Sequence, residues 1–302
     1  MQLRILIIGS EGFIGKAAAA YFTNKGDEIF CVDIFEKSDP HYYRASPQHF
    51  SFADIFNHFA SLDVCINASG AANVQQSFND TPGDFQQNTY NVLLIAEAIR
   101  RLQPACKLIN LSSAAVYGNP KQLPICETAI ATPLSPYGWH KLMSEQICRE
   151  YTEQFGLQTQ SLRVFSAYGE GQKKLLFWDV FQKTLHSSDN TIELFGTGKE
   201  TRDFIYIGDV MRAVECVIKN GNFDGSAINI ANGTATTISE AVKIFLQEAA
   251  PGFEIRYTGD NKKGDPLYWQ ADIKKLQDMG YASGMSLHQG LKVTSKWLKD
   301  QH

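Results

Sequence analysis

Residues 4–15 constrain this chain more than any other stretch. The apolar run Arg4-Ile5-Leu6-Ile7-Ile8 leads into Gly9-Ser10-Glu11-Gly12-Phe13-Ile14-Gly15, and a helix-compatible Lys16-Ala17-Ala18-Ala19-Ala20 follows. A short β-rich run, a glycine turn and a helix in that order make the first half of a βαβ unit. A tight strand-to-helix turn needs a residue without Cβ, close approach of a pyrophosphate needs a second, and packing of the helix on the sheet needs a third. The helix N-terminus then offers unpaired N–H groups and a partial positive charge to phosphate. Gly9, Gly12, Phe13, Ile14 and Gly15 are therefore candidate dinucleotide-binding residues.

The next strand, 28–33, ends in Asp33, 18 residues after Gly15. A carboxylate at that strand end accepts hydrogen bonds from an adenosine ribose and repels the extra phosphate of NADP. The plain alternative is a turn or cap residue, but strand, loop and position together favour the cofactor role. NAD is expected, and Lys37 and Arg44, close in sequence, keep NADP open.

The first two thirds of the 302 residues alternate strand-like runs (4–8, 28–33, 64–68, 107–111, 159–164) with amphipathic segments (14–24, 83–102, 137–155). This rhythm predicts an α/β chain with a doubly wound, Rossmann-like parallel sheet. Residues 1–165 form the expected dinucleotide-binding domain. Residues 166–302, with Gly-rich turns and helices near 238–248 and 287–298, form a smaller mixed lobe for substrate, with roughly 203–235 returning to the sheet. A net charge of −4 without a long basic run argues against nucleic acid. No stretch approaches the ~20 apolar residues of a membrane span. Six cysteines without a Cys-x-x-Cys pair disfavour a structural metal or disulfides, so a reducing cytoplasm is expected.

Tyr137 and Lys141, in Leu134-Ser135-Pro136-Tyr137-Gly138-Trp139-His140-Lys141, are four positions apart at the start of an expected helix and share one face. Alone, such a pair is a surface aromatic and a solvated charge. Here the run at 107–111 leads into Ser112-Ser113 at the carboxyl edge of the sheet, where open α/β folds place their chemistry.

Several motifs together resemble the extended short-chain dehydrogenase/reductase superfamily, in its nucleotide-sugar epimerase/dehydratase branch, over nearly the whole chain. They are the Gly-x-x-Gly-x-x-Gly spacing, Ala53-Asp54-Ile55, Asn67-Ala68-Ser69-Gly70, Asn88, Leu111-Ser112-Ser113-Ala114-Ala115-Val116-Tyr117-Gly118 and the Tyr137 stretch. The resemblance implies that Asp54 and Ile55 meet adenine, that Ala68 and Asn88 line the cofactor, and that Ser69 lies on the substrate side. It also implies Ser113, Tyr137 and Lys141 as catalytic residues, with Ser112 in a supporting place at the substrate.

A tyrosine of pKa ~10 is no base at neutral pH, but an ammonium and an oxidised nicotinamide both stabilise its phenolate. Tyr137 can then take the proton of a sugar hydroxyl as hydride leaves the carbon, while Lys141 also holds the nicotinamide ribose and Ser113 orients the sugar oxygen. His140 is variable in the family pattern, and a packing or solvent role is expected for it.

The segment Gly196-Thr197-Gly198-Lys199-Glu200-Thr201-Arg202-Asp203-Phe204 resembles the one whose arginine grips the nucleotide diphosphate, a task suited to a planar, permanently charged fork. Lys262-Lys263-Gly264-Asp265 resembles the family's Arg-x-Gly-Asp, which assigns Lys262 to phosphate and Asp265 to ribose. Ser166 stands where many relatives carry asparagine and offers fewer hydrogen-bonding atoms. Asp209 is expected as an N-cap for a helix over 210–218.

Redox at a sugar carbon, usually C4, begins every reaction of this branch. A 4,6-dehydratase carries an Asp-Glu pair after the catalytic serine; this chain has Ala114-Ala115, and a methyl group transfers no proton. An NDP-hexose 4-epimerase working through a transient 4-keto sugar is the leading expectation, favoured by Asp33. A 4-ketoreductase is the alternative, and a non-catalytic NAD-binding protein a more distant one. Family members often dimerise through two helices from each subunit, which fall here on 83–102 and 137–155, so a homodimer is expected.

Overall fold

The computed structural model describes residues 2–45, 51–260 and 262–301. Strand β1 (Arg4–Ile8) lies inside a seven-stranded sheet because both of its faces are apolar. Ile5 and Ile7 pack toward one side, Leu6 and Ile8 toward the other, and none is more than 2% exposed. It is followed by β2 (Glu28–Asp33), β3 (Tyr42–Arg44), β4 (Val64–Asn67), β5 (Lys107–Ser113) and β6 (Thr159–Val164). Then come β7 (Ser166–Tyr168), β8 (Thr191–Leu194), β9 (Thr201–Tyr206), β10 (Asp224–Ile230), β11 (Ala235–Thr237) and β12 (Glu254–Tyr257). The large sheet has the order β10-β6-β5-β4-β1-β2-β3 and is parallel throughout. The order reverses between β1 and β4, which opens a crevice at their carboxyl ends.

The helices in chain order are α1 (Phe13–Asn24), α2 (Phe52–His58), α3 (Val74–Asn79), α4 (Thr81–Phe85), α5 (Asn91–Leu102), α6 (Pro136–Phe155), α7 (Leu175–His186), α8 (Ile207–Asn220), α9 (Ile238–Ala249), α10 (Lys274–Asp278) and α11 (Leu287–Asp300). On one face of the large sheet, Ala18 and Phe22 of α1 and Val210, Val214 and Val217 of α8 pack against Ile5, Ile7 and Ile66. On the other, Ile55 and Phe56 of α2, Ile95 and Ile99 of α5 and Cys148 of α6 cover Leu6, Ile8 and Leu108. Each fully buried side chain of this kind contributes roughly 1.5–3 kcal/mol of transfer free energy. A separate core joins Phe177 and Phe181 of α7, Phe245 of α9 and Leu291 of α11 beside the small sheets β11-β9-β7 and β8-β12.

Three expectations change. Strand β5 runs on through Ser112 and Ser113 instead of stopping at residue 111. The single helix expected over 83–102 is interrupted. Asp80 caps α4 by accepting from Gly83 N at 3.0 Å, and a π-helical turn, Gln86–Tyr90, precedes α5. Such a turn widens the helix locally and re-aims its side chains. Asp209 is not an N-cap, since α8 begins two residues earlier. It is fully buried in the first turn, pairs with Arg212, and accepts from Gly284 N and Met285 N, both at 3.2 Å.

Candidate active site

Ser113 ends β5 and is followed by a single 3-10 turn over Ala114–Tyr117. Its Oγ accepts from Ala115 N at 3.1 Å and hydrogen-bonds the Tyr137 phenol. Helix α6 is launched toward it by Ser135, whose Oγ accepts from Gly138 N at 3.1 Å, and by Pro136 in the first turn. Gly138 is required at this crossing: a Cβ there would lie 2.7 Å from Ala115 O and 2.9 Å from Pro133 Cβ. The bare backbone lets the first turn of α6 press on the turn after Ser113, and that contact brings serine and tyrosine together.

One turn along α6, Lys141 donates from Nζ to Leu111 O at 2.9 Å, with Nζ 6.0 Å from the centre of the Tyr137 ring. Both side chains are buried. Burial pushes the phenol above the usual tyrosine range; the Ser113 hydrogen bond pulls it down and the Asp84 charge adds to the rise. Burial pulls the Lys141 ammonium down to about 8, against the charges of Asp84 and Glu145. The protein by itself thus holds the proton on Tyr137, and the lowering expected from Lys141 is not seen beside the effect of desolvation.

Ser112 faces away from Ser113, as alternation along a strand requires. Its hydroxyl donates to Glu145 Oε1 at 2.5 Å, Glu145 is bound by Arg163 Nη2 at 2.7 Å, and Arg163 Nη1 donates to Tyr117 OH at 2.8 Å. Ser112 therefore belongs to a buried network beneath the site. A second network crosses the strand ends: Ser69 Oγ donates to Asn67 at 2.6 Å, and Asn110 Nδ2 donates to Ser144 Oγ at 3.1 Å, which in turn donates to Lys141 O at 2.7 Å.

The glycine loop closes on itself. Gly9 has φ +82°, and a Cβ there would lie 2.7 Å from Ser69 N; a Cβ on Gly15 would run into Gly9 O. Ala68 N donates to Ile8 O at 2.8 Å and carries the β4 end to this loop. Helix α1 starts after the exposed Gly12 with neither a capping side chain nor an acid in its first turn, so the N–H groups beside Phe13 and Ile14 are left for an anion. Asp33 is anchored under the loop, its Oδ2 accepting from Glu11 N at 2.8 Å and its Oδ1 from Ile34 N at 2.7 Å.

Asn88, buried in the π turn, donates to Ala71 O at 3.0 Å and leaves its Oδ1 without a partner. A Cβ on Gly70 would lie 2.5 Å from that oxygen and 3.5 Å from Lys141 Nζ, so the three groups converge. Asp54 is exposed at the start of α2, whereas the Ile55 side chain is locked in the core and has only its main chain to offer. These features fit a dinucleotide lying along the strand ends.

In the smaller lobe, Arg202 is half-buried, with its guanidinium 5.6 Å from the centre of a Trp269 ring and Nη1 donating to Thr201 O at 2.9 Å. Burial works against its charge, and Asp265 and Glu200 support it. Asp265 is raised by burial and lowered by Arg202 and Lys262, so these three act on one another. Lys262 is exposed, its Nζ 4.8 Å from the centre of the Phe195 ring. Ser166 is half-buried and pairs with Phe204 in β9, two residues from Arg202.

A family model described as the NAD dependent epimerase/dehydratase family matches residues 5–231. The chain belongs to this family. Among its relatives are a protein named putative UDP-glucose 4-epimerase from Methanocaldococcus jannaschii, 27% identical over 99% of both chains, and a UDP-glucose 4-epimerase from Rhizobium leguminosarum bv. trifolii, 25% identical over 97% of this chain and 96% of the relative. The fold is shared with UDP-glucuronic acid 4-epimerase from Bacillus cereus, solved with UDP-glucuronic acid and NAD. That match has a TM-score of 0.88 at 24% identity over 99% of this chain and 100% of that one.

NAD is the cofactor, and the cations that kept NADP open are engaged by carboxylates. Lys37 pairs with Glu11, which Lys16 also approaches at 3.2 Å, and Arg44 lies 3.3 Å from Glu36. Burial pushes Glu11 up, yet Lys37 and Lys16 hold it below the usual carboxylate range. The part played by Glu11 was missed in the sequence, where an acid inside a glycine loop carries no signal until Lys37 is seen beside it. His140 was expected in a packing or solvent role. It is buried and bound to Asp84, a residue the sequence never singled out.

Proposed function

We propose that this protein is a nucleotide-diphosphate-hexose 4-epimerase that works through a transient 4-keto sugar. The observation that carries the reading is the cluster of the half-buried Ser113 with the buried Tyr137 and Lys141 at the carboxyl edge of the sheet, in a family chain whose full-length relatives bear the name UDP-glucose 4-epimerase. Bound NAD would supply the hydride acceptor and a second positive charge beside that of Lys141. Tyr137 takes the proton from the sugar O4 and later returns it, Ser113 orients that oxygen, and Lys141 supports the phenolate and holds the nicotinamide ribose. Residues 1–165, with the returning 203–235, carry the cofactor through the glycine loop, Asp33, Asp54, Ile55, Ala68 and Asn88.

Residues 166–302 hold the sugar nucleotide, with Arg202 and Lys262 on the diphosphate, Asp265 on the ribose, and Ser69 and Ser166 toward the sugar. Ala114 and Ala115 follow Ser113, which leaves no acid beside it for dehydration. The chain acts as a homodimer in this reading, through α5 and α6. Tyr90, Trp139, Met143 and Phe155 are each at least 41% exposed, and Trp139 and Met143 share a helix face. Six free thiols agree with a cytoplasmic setting.

The test is incubation of the purified protein with UDP-, dTDP-, GDP- and CDP-hexoses, native and 4-keto, with products resolved by NMR. Inversion at C4 without net change in NAD supports the epimerase. Stoichiometric oxidation of reduced cofactor with a keto sugar, and no inversion, replaces it with a 4-ketoreductase.

A further inference from the structure

The strongest unassigned group is a buried acid–imidazole pair behind the catalytic helix. Asp84 of α4 and His140 of α6 are 4% and 6% exposed, and Asp84 Oδ2 lies 2.5 Å from His140 Nδ1. Phe85 packs its ring edge-on to the imidazole, the centroids 5.5 Å apart. The main chain of His140 is fixed as well, accepting from Thr89 Oγ1 at 2.9 Å. Thr89 belongs to the same π turn as Asn88, so one clamp holds α4, the turn and α6 in register.

Two features go beyond packing. His140 lies between Tyr137 and Lys141 in sequence, and the second oxygen of Asp84, Oδ1, is buried with no partner. Leaving a carboxylate oxygen unsatisfied costs free energy unless its charge is used elsewhere. Asp84 acts electrostatically on both Tyr137 and Lys141. Glu145, which also acts on Lys141, is already neutralised by Arg163 at 2.7 Å.

The other elements against α6 offer little competition. Helix α3, the π turn and the 3-10 turn carry no charged side chain. Glu97, Arg100 and Arg101 of α5 are tied together at the Tyr151 end of the helix, Lys107 of β5 lies over Phe223, and Asp224 of β10 accepts from Ser226.

We propose that Asp84, oriented by His140, is the buried counter-charge of Lys141 and a positioning residue for the Tyr137–Lys141 pair. The inference rests on the catalytic reading above. His140 holds the Asp84 carboxylate in place, and the carboxylate supports the Lys141 ammonium in a pocket where burial works against that charge. Removing the negative charge makes both Lys141 and Tyr137 give up their protons at lower pH. Both limbs of the pH–rate profile then move in the acid direction. Loss of packing alone lowers the rate without moving either limb.

The experiment uses Asp84→Asn, nearly isosteric, together with His140→Phe and His140→Gln. The 13Cε resonance of Lys141, assigned by its absence in Lys141→Arg, is titrated without any sugar present, and the pH profile of kcat is measured in parallel. The proposal expects the Lys141 midpoint to fall by about 1 pH unit in Asp84→Asn, with a smaller fall in His140→Phe that the donor-retaining His140→Gln restores. An unchanged Lys141 midpoint in folded Asp84→Asn overturns it. A wild-type protein that titrates as described yet turns over no sugar nucleotide refutes the catalytic reading and leaves the counter-charge standing.

Discussion

Lys141 of α6 is anchored on the strand that carries Ser113, since its Nζ donates to Leu111 O at 2.9 Å. The lysine therefore holds helix and strand in register as well as placing a charge near the tyrosine. With Ser135 and Gly138 it fixes the distance between the serine at the strand end and the phenol of Tyr137.

Tyr137→Phe keeps the ring that packs against the turn after Ser113 and removes only the oxygen. kcat is expected to fall about 100- to 10,000-fold, with NAD affinity retained in fluorescence titration. Equal loss of affinity would mean that the phenol mainly supports the cofactor.

The free enzyme is expected to lose kcat/KM as pH rises through about 8, where burial has brought the Lys141 ammonium. The sign follows from the cationic form being the useful one: protonated below that value, Lys141 supports the phenolate, and deprotonated above it, it does not. A basic limb beyond pH 10 would contradict the burial.

Cofactor choice is expected to depend on Glu11. Glu11→Gln releases Lys37 from its ion pair and frees a cation near Asp33, so the ratio of NADP to NAD dissociation constants, measured by calorimetry, is expected to fall. Asp33→Ala is expected to weaken NAD by the loss of the ribose contact.

Beneath the site, Glu145→Gln leaves the buried Arg163 without its counter-charge and is expected to cost about 3–5 kcal/mol in chemical denaturation. Ser112→Ala removes one hydroxyl donor and is expected to cost about 1 kcal/mol. A larger effect of Ser112→Ala on kcat than on stability would move Ser112 into contact with substrate.

Trp139→Glu places a charge on the exposed face of α6. Light scattering is expected to report a dimer for the wild type and a monomer for the variant.

Much of this was legible in the chain because local patterns encode it. Short continuous apolar runs in 4–8 and 28–33 mark the central strands, the glycine spacing marks the loop, and four-residue spacing puts Tyr137 and Lys141 on one face. What was hidden depends on partners distant in sequence. Strand β3 is three residues long, too short for periodicity to register. The break in the helix at 86–90 arises where Thr89 and Asn88 bond to α6 and Ala71. His140 carried no signal alone because its partner, Asp84, is 56 residues away. The raised phenol of Tyr137 reflects burial, which the sequence did not weigh.

The most direct measurement follows deuterium at C4 of a UDP-hexose that the protein turns over. The account predicts that the label stays at C4 through inversion, that no deuterium enters from D2O, and that total NAD is unchanged. Washout of the label into solvent during inversion would contradict it, because the hydrogen would then leave C4 as a proton and not as hydride returned to the same carbon.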